Sequence, residues 1–136
     1  LEGLVDMEAG QAIRIGGPGG QVEFLPLAQD HGYDQPSLGF RIGTFAYCND
    51  VVRIPEVSLE RLGGLDTLVV DALRYKPHPT HAHVDQALAW IERLRPRRAI
   101  LTNLHVDLDY ATLSSELPNG VEVAYDGLEL EIGPTG

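Results

Sequence analysis

The 136-residue sequence contains a single cysteine, Cys48, and no long apolar run. One cysteine cannot form an intramolecular disulfide or a cysteine-based zinc site, so any metal must be held by His, Asp or Glu. A membrane-spanning helix needs roughly 18 or more apolar residues in succession, which excludes an association with membranes through such a helix. No basic and apolar leader opens the sequence, and we therefore expect a cytoplasmic protein.

Basic side chains are also scarce, since 10 Lys and Arg stand against 20 Asp and Glu, for a net charge of −10. This charge repels phosphate backbones and disfavours nucleic acid as a partner, although small phosphorylated molecules remain compatible with it. The densest basic segment, ERLRPRR at 92–98, lies at a predicted helix end, where positive side chains complement the helix dipole.

The first third of the chain has the pattern of antiparallel strands. Apolar or alternating runs near 11–15 and 21–28 surround Gly-Pro-Gly-Gly, which predicts a β-hairpin. No Gly-Lys-Ser/Thr follows these glycines, so we interpret them as a turn and not as a phosphate-binding loop. Short β-rich runs at 38–42 and 45–48 predict a second hairpin.

The rest of the sequence has the pattern of alternating strands and helices. LDTLVVDAL and RAILTN are apolar runs typical of buried strands, whereas IPEVSLERLGG, HVDQALAWIERLRP and DYATLSSEL are helical. The segment VEVAYDGLELEI predicts a terminal hairpin around Asp-Gly. We therefore predict one α/β domain over residues 1–136, in which helices flank a mixed β-sheet.

Polar residues that could carry chemistry follow several of these apolar runs. They include His31, Asp50, Asp71, Asn103 and His105. Functional groups of α/β proteins tend to lie where strands end, and imidazole with carboxylate suits a hard or borderline metal ion. From the residues alone, Asp71 is either a partner of a metal-bound histidine or a strand-end aspartate that binds loop amides.

Four segments together resemble the C-terminal half of a metallo-β-lactamase-fold hydrolase. They are QDHGYDQPSLGFRIGTFAYCNDVVRIPE, DTLVVDALRYKPHPTHAHVDQAL, LTNLHVDLDY and LPNGVEVAYDGLELEI, within about residues 21–132. The similarity is greatest to the phosphodiesterase branch, which includes a cyclic phosphodiesterase and, more distantly, transfer-RNA 3′-processing endonucleases. It implies half of an αββα fold and a site for two divalent ions, manganese or zinc.

The resemblance also implies roles for individual residues. His31 resembles a metal ligand, Asp50 the carboxylate that bridges both ions, and His81 the histidine near the scissile phosphate. His81 would be a catalytic residue that protonates the leaving group or holds a phosphoryl oxygen. The last metal ligand is Asn103 or His105; relatives have histidine at the first of these positions, and we favour His105.

The principal metal motif of this family, His-x-His-x-Asp-His, is absent because no histidine precedes His31. The resemblance therefore implies a fragment of a two-metal hydrolase that cleaves a small or cyclic phosphodiester. We expect this fragment to be inactive alone and to pair with the missing N-terminal half or with a second copy. The alternative is a non-catalytic α/β binding or structural module that self-associates.

Overall fold

A computed structural model describes residues 8–105, 108, 110–125 and 127–130. Its helices and strands follow one another in this order: β1 Ile13–Gly17, β2 Gly20–Asp30, β3 Pro36–Ile42, β4 Phe45–Cys48, α1 Glu56–Glu60, β5 Thr67–Asp71, α2 Val84–Leu94, β6 Arg98–Thr102, α3 Tyr110–Glu116 and β7 Val121–Val123. None of these described helices is long and apolar enough to cross a membrane.

The strands form one mixed sheet in the order β1-β2-β3-β4-β5-β6-β7. The first four strands pair antiparallel through hairpins, and the pairs from β4 to β7 are parallel. Because β2 and β4 both run antiparallel to β3, the carboxyl ends of β2, β4, β5 and β6 meet at one edge of the sheet. The predicted mixed sheet with flanking helices is confirmed.

The Gly-Pro-Gly-Gly segment forms the predicted turn between β1 and β2. Gly17 pairs with Gly20, and Gly20 has a φ of 110° that residues with a Cβ rarely adopt. The observed β2 continues past its predicted end as far as Asp30, which forms an isolated bridge with Arg53. This extension carries the strand to the carboxyl edge of the sheet.

One face of the sheet packs against the helices and forms the core. Leu68, Val70 and Leu101 of the central strands are at most 1% exposed and share this core with Leu113 of α3. Helix α2 ends at Leu94. The next residue, Arg95, has a left-handed backbone and is followed by Pro96, and proline cannot continue a helix. The burial of these central strands fixes the positions of the loops at their carboxyl ends.

The opposite face, over β1 to β4, carries an apolar depression of about 350 Å³. We call it the apolar sheet face, and it is lined by Ile13, Ile15, Phe24, Phe40, Ile42, Phe45 and Tyr47. Ile15 is 48% exposed and Tyr47 40% exposed, so apolar surface remains open to solvent there.

The predicted terminal hairpin is wrong for the residues that the structure describes. β7 instead pairs parallel with β6, and residues 128–130 form no strand. The turn itself is present, because the Leu128 N–H donates to the Tyr125 carbonyl at 3.1 Å. An Asp-Gly dipeptide favours a turn but does not supply a partner strand. Asp126 and residues 131–136 lie outside the described residues.

Candidate metal centre

Three side chains meet at the carboxyl edge of the sheet. His31 follows β2, Asp50 lies two residues after β4, and His81 comes from the loop between β5 and α2. One donor atom from each residue lies within 4.8 Å of the others, and the two imidazole rings meet edge to face with centroids 5.1 Å apart. Two imidazole nitrogens with a carboxylate oxygen are a donor set that zinc or manganese accepts.

His31 is held by the loop that carries His81. Its Nδ1 lies 2.7 Å from the carbonyl oxygen of Thr80, which can only accept, so Nδ1 carries the proton and Nε2 keeps a free lone pair. A backbone carbonyl on Nδ1 is the usual partner of a metal-binding histidine, because it fixes the tautomer and the ring orientation.

The close approach of these two loops depends on Gly32. An ideal Cβ at this position would lie 2.2 Å from the carbonyl oxygen of Pro79, and the φ of Gly32 is 90°. Both observations require glycine beside the histidine.

His81 is oriented by Asp71, the last residue of β5. Asp71 is fully buried, and its Oδ2 lies 2.8 Å from Nδ1 of His81 and accepts the Val51 N–H at 3.2 Å. Asn103 Nδ2 donates to the other carboxylate oxygen at 3.2 Å. Asp71 therefore contacts a histidine of the group and a loop amide at once, which joins the two roles that the sequence left open.

Asp50 presents the only carboxylate of this group. Its side chain is 59% exposed, and Oδ1 lies 4.0 Å from Nδ1 of His81. The backbone is left-handed, with a φ of 51°. Such a conformation is unfavourable for a residue with a Cβ and is found where the surroundings impose it.

Neither candidate for the last ligand is one of the three residues whose donor atoms meet within 4.8 Å. His105 is exposed, and its backbone N–H donates to the Leu73 carbonyl at 2.8 Å. Asn103, which contacts Asp71, also lies 3.2 Å from His81 Nδ1. The structure thus brings His31 and Asp50 together with His81, and His105 as a ligand stays a prediction.

The sequence did not indicate that His78, a second histidine of the segment HPTHAH at 78–83, lies beside the centre. The His78 ring is 5.4 Å from that of His81, and its Nδ1 accepts the Thr80 N–H at 3.1 Å. Burial lowers the pKa of His78, and the charges of Arg74 and His81 lower it further. Because Nδ1 accepts the hydrogen bond from Thr80, Nε2 is the ring nitrogen that carries a proton.

Residues 2–103 match the family described as beta-lactamase superfamily domain. The chain is also similar to a solved structure of a diphosphatase from the PhnP family, at 37% identity and a TM-score of 0.86 over 93% of this chain. Zinc-bound PqqB from Methylobacterium extorquens shares the fold at 16% identity, with a TM-score of 0.69 over 93% of this chain and 55% of that chain.

An octanoyltransferase from Porphyromonas gingivalis (strain ATCC BAA-308 / W83) is 34% identical over 114 residues, or 82% of this chain. The chain spans 23% of that protein and 48% of the diphosphatase. Since more than three quarters of the octanoyltransferase lies outside the match, its named activity is not transferred to this segment.

Proposed function

The chain belongs to the beta-lactamase superfamily, a family with hydrolase members, and on that premise we propose that it is the C-terminal half of a metal-dependent phosphodiesterase. The observation that carries the proposal is the group formed by His31, Asp50 and His81, whose donor atoms lie within 4.8 Å of one another. Two of these residues are predicted metal ligands, and the third is the predicted proton donor.

The proposed roles follow from the orientation of each side chain. His31 offers Nε2 because Thr80 holds its Nδ1, and Asp50 offers a carboxylate that can lie between two cations. His105 is the proposed last ligand. When bound, manganese or zinc ions supply Lewis acidity at phosphoryl oxygens and a nucleophile at neutral pH.

His81 is the proposed proton donor to the leaving alkoxide. Its Nδ1–H points to the buried carboxylate of Asp71, which leaves Nε2 to face the reacting group. The Asp71 carboxylate fixes the orientation of the ring, and imidazole is the side chain that most often serves as a general acid in proteins.

We propose a small or cyclic phosphodiester as the substrate. The diphosphatase at 37% identity supports phosphoryl chemistry at this centre. The net charge of −10 opposes a long nucleic-acid substrate but not a single small phosphodiester.

The complete two-metal centre requires more protein than this chain. The chain spans 48% of the diphosphatase, and His31 and Asp50 with the proposed ligand His105 leave two divalent ions with open positions. We therefore propose that the remaining half packs on the apolar sheet face and that this chain alone is inactive.

Metal content and hydrolysis of bis(p-nitrophenyl) phosphate test the proposal, measured for this chain and for a version extended upstream. We expect two metal ions and turnover in the extended protein only. Replacing His81 with Ala should lower kcat with metal content retained, whereas His105→Ala should lower the metal content. If the extended protein binds no metal and shows no turnover, the proposal of a hydrolase is refuted.

The apolar sheet face also supports the second candidate, a non-catalytic module that self-associates. Contiguous open apolar surface is a feature of protein interaction sites. Under this candidate, the upstream extension would add neither metal nor activity, and the chain alone would form a stable dimer.

A further inference from the structure

We propose that Gln29 and Ser37 are positioning residues that hold Asp50 in the geometry needed to bind metal. The inference rests on the proposed function, because it assigns Asp50 as a ligand. Neither residue belongs to the group of three, and both act through the backbone of the segment that carries Asp50.

A chain of hydrogen bonds joins the two residues to that segment. Gln29 lies in β2, is 4% exposed, and its Nε2 donates to the Asn49 carbonyl at 2.9 Å and to Ser37 Oγ at 3.1 Å. Ser37 Oγ in turn donates to the Asp50 carbonyl at 2.8 Å. Two successive carbonyl groups are thus fixed by side chains from β2 and β3.

These hydrogen bonds hold the backbone of Asp50 in an unfavourable conformation. The φ of Asp50 is 51°, and its side chain is 59% exposed, so burial of the side chain cannot impose this conformation. The hydrogen bonds fix the preceding peptide and the Asp50 carbonyl, while the Val51 N–H is held by Asp71 at 3.2 Å. The backbone is therefore held on both sides of the ligand, and a preorganised ligand binds metal with less loss of entropy.

The packing around Gln29 indicates that its side-chain amide is needed for these hydrogen bonds. Its Oε1 is buried without a hydrogen-bond partner among the described residues, which is unfavourable. A Met would occupy similar space without that penalty. Gly39 leaves room for the amide, because an ideal Cβ there would lie 2.4 Å from Oε1.

Ser58 provides a matched control for Ser37. Its Oγ donates to the Ala28 carbonyl at 2.7 Å, and the residue is 1% exposed in helix α1. Ser37→Ala and Ser58→Ala thus each remove one hydrogen bond from a serine hydroxyl to a backbone carbonyl, but only Ser37 contacts the Asp50 segment.

The test measures manganese and zinc affinity by calorimetry in the upstream-extended protein, together with amide hydrogen exchange at Asp50 and Val51. We expect Ser37→Ala and Gln29→Met each to weaken metal binding about 10-fold or more. Ser37→Thr keeps a hydroxyl group and should bind metal as tightly as the unaltered protein. Amide exchange of Val51 should accelerate in both weakened variants. Ser58→Ala should change neither quantity, even where it lowers the unfolding temperature.

Unchanged affinity in both Ser37→Ala and Gln29→Met would overturn the inference, as would an equal loss in Ser58→Ala. If the unaltered protein binds no metal, the proposed function fails. Hydrogen exchange in the metal-free protein then tests whether Gln29 and Ser37 position the Asp50 segment. Exchange at Val51 that is faster in Ser37→Ala than in Ser58→Ala supports positioning of the segment, and equal exchange refutes it.

Discussion

Oδ2 of Asp71 lies 2.8 Å from Nδ1 of His81, and the aspartate is fully buried. Because the same oxygen also accepts the Val51 N–H, the carboxylate joins the loop of His81 to the loop of Asp50. A buried carboxylate needs such partners, and here they are parts of the candidate metal centre. Asp71 therefore couples the end of a central strand to two of the three donor groups.

Replacing Asp71 with Asn tests this coupling. The amide keeps the shape of the side chain but removes the charge that stabilises the Nδ1–H tautomer of His81. We expect metal affinity or turnover of the upstream-extended protein to fall about 10- to 100-fold, measured by calorimetry and phosphodiester hydrolysis.

Asp66→Asn is the control, because Asp66 precedes the same strand at its opposite end and pairs with Arg97 at 2.6 Å. This variant should keep full metal affinity. Equal losses in the two variants would mean that the role of Asp71 is general stability alone.

The ion pair of Arg98 and Glu122 predicts a dependence of stability on pH. The Arg98 guanidinium, whose Nη2 donates to Glu122 Oε1 at 2.9 Å, lowers the pKa of this carboxyl below its usual 4.5. A lowered folded-state pKa stabilises the fold above the unfolded-state value, and this contribution is lost as the pH falls through the folded-state pKa. Glu122→Gln should therefore lower the free energy of unfolding at pH 7 by about 0.5 kcal/mol, since the pair is partly exposed.

Urea unfolding at pH 7 and at pH 3 measures this difference, which should shrink at the lower pH. In a background that carries Arg98→Gln, the substitution of Glu122 should have little effect at either pH. A difference that stays constant with pH would contradict the assignment to this ion pair.

Most of the sheet could be predicted from the sequence, because its signals are local. Apolar runs such as LDTLVVDAL and RAILTN, with Gly-Pro-Gly-Gly, indicate strands and a turn wherever they occur. The prediction of a terminal hairpin was wrong over the described residues because strand pairing depends on distant residues, and β7 pairs with β6. The order of the strands likewise depends on packing and not on local pattern.

The site was predictable to a smaller extent. His31 and Asp50 follow apolar strands, so the meeting of strand ends at one edge indicates them. Gln29 and Ser37 look like ordinary strand residues, and their hydrogen bonds arise only when β2, β3 and the loop after β4 come together. The contact of Asp71 with His81 depends in the same way on how the 71–81 loop folds back.

The apolar sheet face predicts that this chain alone associates as its concentration rises. Ile15 lines that face and is 48% exposed. Val57 of α1 does not line the face but is similarly exposed, at 50%, and serves as the control. Ile15→Lys places a charge on the apolar surface and should shift the chain toward the monomer, as measured by sedimentation velocity at several concentrations. Val57→Lys should leave the association unchanged, and a chain that is monomeric at every concentration would refute the prediction.

Gly32 should be essential for the approach of the two histidine loops. A Cβ at Gly32 would lie 2.2 Å from the Pro79 carbonyl oxygen, so an alanine must push apart the loops that carry His31 and His81. We expect Gly32→Ala to weaken metal binding at least 10-fold in the upstream-extended protein, because ligands must be held within about 0.5 Å of their productive geometry.

Gly64 separates this effect from simple backbone strain. Its φ is 72°, comparable to the 90° of Gly32, but a Cβ at Gly64 would meet nothing within 4 Å. Gly64→Ala should lose about 1–2 kcal/mol of stability from the left-handed backbone, and Gly32→Ala should lose more because its Cβ also clashes with the Pro79 carbonyl, measured by urea unfolding. Only Gly32→Ala should also lose metal affinity, since only Gly32 lies between the two loops; equal affinity in the two variants would show that the centre tolerates a wider separation of its histidines.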